Sequence, residues 1–278
     1  MSTQLSRLLW VLAFVFALGI SQFGTPATAQ GLRFELQSLW RRTVSFYDQG
    51  RFAEAEQTAR RSIAIASSRL GPRHKATARG GFELARVISR LGRTEEAEKL
   101  TRQAVSVWTG EFGPRSAEVS SALTLLGVVL FEQDRYAESQ EALSRALSNL
   151  EVSRPLRPFH RGQILRWQGL VYWRQGKLDE AGVKLRQSLA ALERMTGNDR
   201  IFVHRVEANF GRFLWQRGFF SEGEQYFKRA AAGYEQLGQP ARSELAGLLA
   251  RMGSFYASQD RHTDAEALLR RSLALNQV

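Results

Sequence analysis

The sequence contains no cysteine among its 278 residues. This excludes a disulfide framework, a thiolate metal site and a lipid-modified cysteine behind a leader sequence. Low-complexity stretches are also missing, and 44% of the residues are apolar, which is enough to build a large folded body. We therefore expect one folded chain without linkers.

Lysine is scarce: only five of the 39 basic residues are lysines, and the formal net charge is +12. Arginine presents a planar fork that suits carboxylate or phosphate groups, so its abundance would fit acidic partners. On charge alone, however, arginine-rich codon usage in a GC-rich genome is the better explanation.

Familiar catalytic motifs are missing as well. The sequence has no Walker-type glycine loop, no dinucleotide fingerprint and no Gly-x-Ser-x-Gly elbow. His204 and Glu207 share one face of a predicted helix, but no third metal ligand accompanies them. We expect a non-catalytic protein without a metal or a small-molecule cofactor.

The N-terminus has the pattern of a secretory signal peptide. Arg7 precedes an apolar run from Leu8 to Ile20, and the small residues Ala27-Thr28-Ala29 follow. Residues 1–29 are predicted to be removed after Ala29, and a bacterial periplasmic or extracellular location is expected. The alternative is an uncleaved segment that contacts the membrane, although the run is shorter than the ~20 residues that span a bilayer.

A short unit, Gln49 to Glu56, returns through the rest of the chain at a fixed interval. Its second position is occupied in turn by Gly50, Gly92, Asp134, Gly176, Gly218 and Asp260, which are 42 residues apart each time. A constant period without insertions is the signature of a repeat architecture. The chain should therefore be built from six copies of one structural unit.

Each copy has two segments with helical apolar spacing on either side of this turn position. Glycine or aspartate at the turn is expected to adopt a left-handed conformation that ends the first helix. After a short N-terminal segment at 30–34, the predicted helix pairs lie at about 35–70, 74–110, 115–150, 157–194, 199–236 and 241–277. They form one continuous domain, 35–278.

Small residues recur at three positions of each copy. They lie seven residues before the turn (Gly127, Gly169, Gly211), five residues after it (Ala55, Ala97, Gly223) and twelve after it (Ser62, Ala104, Ala230). Such positions allow two helices to approach closely, so they should form the packing seam of each pair. A single pair cannot bury both faces, and consecutive pairs should stack.

This pattern of small residues with intervening aromatic side chains resembles the tetratricopeptide repeat, over residues 35–278. The period of 42 residues and the connections at Leu70-Gly71-Pro72-Arg73-His74 and Phe112-Gly113-Pro114-Arg115 are similar to the kinesin-light-chain variety. The resemblance implies an all-α, right-handed α-solenoid. It also implies a scaffold that binds a protein or peptide in a concave groove lined by the first helices.

Arginine and aromatic residues dominate the positions that this register places in the groove, so the partner is expected to be acidic. The candidate partner-binding residues are Trp40, Arg79, Arg86, Arg90, Arg166, Trp173, Arg174, Arg205, Arg212 and Trp215.

Several alternatives stay open. The aromatic residues could be inter-repeat core, and the arginines could pair with Glu83, Glu132 or Glu207. Instead of acting alone, the chain could be the regulatory half of a larger protein that carries a caspase-like protease domain. The basic solenoid could also bind single-stranded nucleic acid, although the export signal argues against this. The last repeat has no polar capping helix before Val278, so its end could be covered by a partner or by self-association, or the chain could be a fragment of a longer protein.

Overall fold

The computed structural model describes residues 26–152 and 158–276, and within these ranges it is all-α. The apolar run of the predicted signal peptide lies outside the described residues. The first helices of the six pairs are α1 Pro26–Asp48, α3 Lys75–Arg90, α5 Ala117–Glu132, α7 Pro158–Arg174, α9 Arg200–Gln216 and α11 Arg242–Ala257. The second helices are α2 Phe52–Leu70, α4 Thr94–Phe112, α6 Tyr136–Val152, α8 Leu178–Leu192, α10 Phe220–Leu237 and α12 His262–Asn276.

Helix α1 begins earlier than expected. It starts at Pro26, so the predicted N-terminal segment 30–34 is helical and Ala27 to Ala29 belong to the same helix. Proline fits the first turn of a helix, and the sequence offers no further proline before Asp48 to end it. None of the helices in the described ranges is both long and apolar enough to cross a bilayer.

The turn positions have the predicted left-handed backbone. The φ angles are 74° at Gly50, 77° at Gly92, 58° at Asp134, 76° at Gly176, 82° at Gly218 and 58° at Asp260. The next residue closes the helix end: the Arg93 amide, for example, donates to the Ile88 carbonyl over 3.0 Å. This confirms the prediction from the repeated glycine and aspartate.

The small-residue seam is also confirmed. Ala55, Ala97 and Ala181, which lie just after their turns, are fully buried, and so are Ala104 and Ala230. In the third pair the serine at this place is equally buried, and Ser139 Oγ donates to the Gly127 carbonyl over 2.6 Å. Backbone atoms of facing helices therefore come close together at every turn.

Contacts between successive pairs define the inner surface of the solenoid. The first helices approach one another along the stack, α1 to α3, α3 to α5, α5 to α7 and α7 to α9. Within the described ranges, successive second helices have no comparable contacts. Since the more closely spaced row lies on the inside of a curve, the first helices line the concave face.

A ladder of ion pairs links neighbouring repeats on the side of the turns. Arginine just after a turn binds a glutamate on the preceding second helix: Arg93 to Glu56 and Arg135 to Glu98, each over 2.7 Å, and Arg261 to Glu224 over 2.8 Å. The ladder is interrupted in the middle. There the equivalent residues are Lys177 opposite Gln140 and Phe219 opposite Gly182, which cannot form ion pairs.

The last rung of this ladder gives a pH-dependent contribution to stability. Partial burial opposes ionisation of Glu224, but hydrogen bonds from Lys228, Arg261 and Tyr256 outweigh it and lower its pKa to about 2, from an ordinary 4.5. Because the folded pKa is depressed, this stabilisation is present above pH 4.5 and is lost as the pH falls towards 2.

We expect Glu224→Gln to lower the free energy of unfolding by about 1 kcal/mol near neutral pH. The value is small because solvent screens these partly exposed charges. The difference in the free energy of unfolding between the variant and the wild type should shrink as the pH falls from about 5 to about 3. Urea unfolding at several pH values measures it. Glu222→Gln, at an exposed position on the same helix, is the control. A pH-independent difference would contradict the assignment.

Candidate functional site

The N-terminal half of the concave face contains cations that already have carboxylate partners. Glu83 on α3 is buried, and its two oxygens lie 2.7 Å from Arg79 and 2.9 Å from Arg86. The Arg86 guanidinium also lies over the Tyr47 ring, 4.9 Å from its centre. Burial raises the pKa of Asp48 nearby, and Arg86 partly offsets this. Arg79 and Arg86 therefore have internal counter-ions.

Carboxylates continue along this half on α5. This helix contains Glu118 and Glu132 and no basic residue. Burial raises the pKa of Glu132, and the charge of Arg90 on α3 lowers it in part. Arg90 itself is exposed. The N-terminal half is thus close to electrostatic balance.

The C-terminal half of the groove is different because α7 contains three arginines and no acidic residue. Its central arginine, Arg166, is only 6% exposed. Burial, with the positive charges of Arg205 and Arg90, lowers its pKa to about 9. The guanidinium lies 4.3 Å from the centre of the Trp167 ring. A buried cation of this kind is costly unless an anion compensates it.

A second poorly compensated cation lies on the next first helix, α9. Arg212 is half-buried over the Trp173 ring, 4.6 Å from its centre. Burial, with the repulsion of Arg251 and Arg174, lowers its pKa to about 10. Arg174 differs from it, because it is exposed and lies 3.0 Å from Asp134. The charges that act most strongly on Arg212 are both positive, whereas Arg174 has a carboxylate partner.

Arg205 connects this region to the last repeat. It forms an ion pair with Glu244 on α11, and both side chains are partly exposed. Glu244 and the buried Tyr234 also influence Arg166 electrostatically. The structure therefore groups Arg166 and Arg205 near one another, and Arg212 with Arg174 and Arg251.

The three candidate tryptophans have different environments. Trp40 and Trp173 are partly buried on the first and fourth first helices. Trp215 is 5% exposed and stacks on Phe255, with ring centres 5.3 Å apart, while Phe220 covers its edge. The expectation that Trp215 binds a partner is corrected: it belongs to the core because neighbouring aromatic side chains cover it.

His204 and Glu207 form a buried polar cluster rather than a surface pair. His204 Nδ1 lies 2.8 Å from Glu207 Oε2, and Arg229 on α10 lies 2.6 Å from the other carboxylate oxygen. His204 is 5% exposed and Glu207 3%. Glu207 thus pairs with a second-helix arginine instead of the groove arginines, and the described residues contain no group of three metal-binding side chains.

Sequence reasoning missed several residues of the groove. Arg251, Tyr234 and Glu244 come from α10 and α11, outside the positions first selected. Trp167 directly follows Arg166, and its ring faces the guanidinium. The lack of any acidic residue on α7 was the available sequence signal for the uncompensated charge.

Three family models described as tetratricopeptide repeat match the chain. One covers residues 80–151, the second covers 44–75 and 245–278, and the third covers 162–187, together more than half of the sequence. Among proteins with curated descriptions, none matches.

Solved structures show the same architecture. BtubC (BKLC) from P. vanneervenii matches with a TM-score of 0.63 and 18% identity, over 81% of this chain and 91% of that one. A kinesin light chain from Podosopora anserina with nearly identical TPR-like repeats matches with a TM-score of 0.55 and 18% identity, over 73% and 97%.

NprR in complex with its cognate peptide NprX matches with a TM-score of 0.68 and 14% identity, over 85% of this chain and 65% of NprR. At these identities the likeness establishes the fold alone.

Proposed function

Because this chain belongs to the tetratricopeptide repeat family, in its kinesin-light-chain-like variety, we propose that it is a non-catalytic scaffold that binds an acidic segment of a partner protein in its concave groove. The observation that carries the proposal is the excess of arginine over carboxylate on the first helices α7 and α9. Together these helices contain six arginines and one acidic residue. That residue, Glu207, is buried beside His204 and Arg229.

The structural neighbours support a binding role in general terms. Rap was solved with the Competence and Sporulation Factor and NprR with the peptide NprX, both on this solenoid architecture. The tetratricopeptide repeat generally serves as a scaffold for protein interactions. An acidic partner is our extension for this chain, because arginine binds carboxylates through charge-assisted hydrogen bonds.

Export to the periplasm or the exterior is part of the proposal. It is supported by Arg7, the apolar run from Leu8 to Ile20 and the small residues that end at Ala29. N-terminal sequencing of the protein recovered from a periplasmic fraction is expected to begin at Gln30. Retention of residues 1–29 would contradict cleavage.

The binding proposal is tested by fluorescence anisotropy with fluorescein-labelled decaglutamate, and with decalysine and a single-stranded oligonucleotide as matched probes. We expect decaglutamate to bind and its affinity to fall when salt is raised from about 50 to about 300 mM, since exposed charges are screened. Decalysine should not bind. Tighter binding of the oligonucleotide would overturn the assignment to an acidic protein segment, and equal binding of all three probes would show non-specific adsorption.

A further inference from the structure

Arg166 is a buried cation without a carboxylate partner in the part of the chain that the structure describes. Its side chain comes from the middle of α7, it is 6% exposed, and its Nε has no hydrogen-bond partner there. The contact identified for its guanidinium is with the face of Trp167. Arginine carries five N–H donors and remains charged, so a buried guanidinium whose Nε donor has no partner lacks part of its hydrogen bonding.

The neighbouring charges do not compensate it. Arg205 and Arg90 repel the guanidinium, and the carboxylate that attracts it, Glu244, is itself ion-paired with Arg205. Burial with this repulsion depresses the pKa of Arg166 to about 9. Its surroundings therefore favour the arrival of a negative charge from outside the described chain.

The repeat architecture itself does not need a charge at this place. The residues ten positions before the other five turns are all uncharged: Trp40, Phe82, Thr124, Ala208 and Ala250. Since the same fold forms around tryptophan, phenylalanine or alanine here, packing does not explain an arginine. A charge that costs stability and has no role in the scaffold indicates recognition of a ligand.

We propose that Arg166 anchors an oxyanion subsite that takes one carboxylate of the partner's acidic segment in the C-terminal half of the groove. The inference rests on the proposed function and assigns it a location. The planar fork of Arg166 is suited to bidentate binding of a carboxylate. Arg212, half-buried and without a neighbouring carboxylate among its main electrostatic influences, supplies attraction for a second acidic group of the same segment.

The matched pair of variants is Arg166→Met and Arg102→Met. Both remove one arginine, but Arg102 lies on the second helix α4, outside the groove, and pairs with Glu98 on the same helix. With decaglutamate as the probe, we expect Arg166→Met to weaken binding about tenfold or more and Arg102→Met to change it less than about twofold. Arg166→Lys, which keeps the charge but loses the fork, should show an intermediate loss.

Thermal unfolding without the probe distinguishes a binding role from a structural one. Arg166→Met should melt at the wild-type temperature or above, because it removes a buried, uncompensated charge. Decaglutamate should raise the melting temperature of the wild type more than that of Arg166→Met. An Arg166→Met variant that is unfolded, or that melts below both the wild type and Arg102→Met, would identify the guanidinium as structural and overturn the inference.

The other outcomes separate the two proposals. Wild-type affinity for decaglutamate in Arg166→Met overturns the subsite and leaves the proposed function intact. If the wild type does not bind decaglutamate, both fail. Inorganic phosphate shares the oxyanion chemistry, so it serves as a competitor: if phosphate binds more tightly than decaglutamate in an Arg166-dependent manner, the site does not belong to a protein carboxylate.

Discussion

Replacing His204 by alanine is expected to lower the free energy of unfolding by about 3 kcal/mol. Glu207 is almost fully buried beside it and would lose its hydrogen bond to Nδ1. The imidazole also packs so tightly against Gly233 that this glycine has no room for a Cβ. The alanine variant thus leaves both a cavity and a carboxylate that only Arg229 partners. Urea denaturation measures the loss.

A double variant tests whether the cluster is a unit. The positions equivalent to Glu207 are leucine in four other repeats, Leu39, Leu123, Leu165 and Leu249, and those equivalent to His204 include Ala78 and Ala246. We expect the double variant His204→Ala, Glu207→Leu to have a free energy of unfolding within about 1 kcal/mol of the wild type, because apolar residues can replace buried ion pairs at little cost in stability. If the two losses simply add, the residues are not coupled.

Gly223→Ala is expected to lower the free energy of unfolding by about 3 kcal/mol, at the upper end for overpacking. A Cβ at Gly223 would lie 2.8 Å from the carbonyl oxygen of Gly211 and 3.1 Å from the backbone nitrogen of Trp215. Both obstacles are backbone, so relief requires α9 and α10 to separate. Thermal or urea unfolding with near-ultraviolet circular dichroism of Trp215 would detect both the loss and the displacement.

Gly247→Ala is the control for helix propensity. Gly247 also lies inside a helix, α11, but a Cβ there would meet only the end of the Arg251 side chain at 3.9 Å. The free energy of unfolding of this variant should rise by up to about 1 kcal/mol, because alanine favours the helix more than glycine does. A similar gain for Gly223→Ala would contradict the close approach of α9 and α10.

The repeat geometry was predictable from the sequence because one physical requirement recurs at a fixed position. A left-handed residue must end each first helix, and glycine or aspartate therefore marks every turn from Gly50 to Asp260. The buried seam at Ala55 and its equivalents followed from the same periodicity. Start positions without such a marker were less certain, and α1 begins at Pro26 instead of near residue 35.

The groove was predictable only in outline. The register selects the arginines of the first helices, but it does not say which ones meet a carboxylate. Arg79 and Arg86 share Glu83 on their own helix, while the carboxylate that attracts Arg166, Glu244, comes from α11. The balance of charge depends on contacts between separate repeats, and these are not visible in a local pattern.

Aromatic residues at one register position can also have different environments. Trp173 and Trp215 are both three residues before a turn, yet Trp173 is partly exposed and Trp215 is buried. Trp215 stacks on Phe255 and meets Phe220 at its edge, whereas the residue equivalent to Phe220 beside Trp173 is Leu178. Trp173 also contacts a phenylalanine 40 positions on, Phe213, but edge-on instead of stacked. The difference in burial therefore depends on the geometry of that contact and on the first residue of the following helix.

Because the ion-pair ladder is interrupted, some neighbouring repeats can move apart on the turn side more easily than others. Where Lys177 and Phe219 replace the linking arginine, the ion pairs on the turn side are Arg174 to Asp134 and Arg217 to Asp179. Their carboxylates are much more exposed than Glu56 and Glu98, so solvent and salt screen these pairs more, and that edge can extend at lower cost than at Arg93 or Arg135. These compliant junctions lie on either side of α7, which contains Arg166, and the second of them also borders α9, which contains Arg212. The pitch of the superhelix is therefore most easily adjusted at the part of the groove with the largest uncompensated charge.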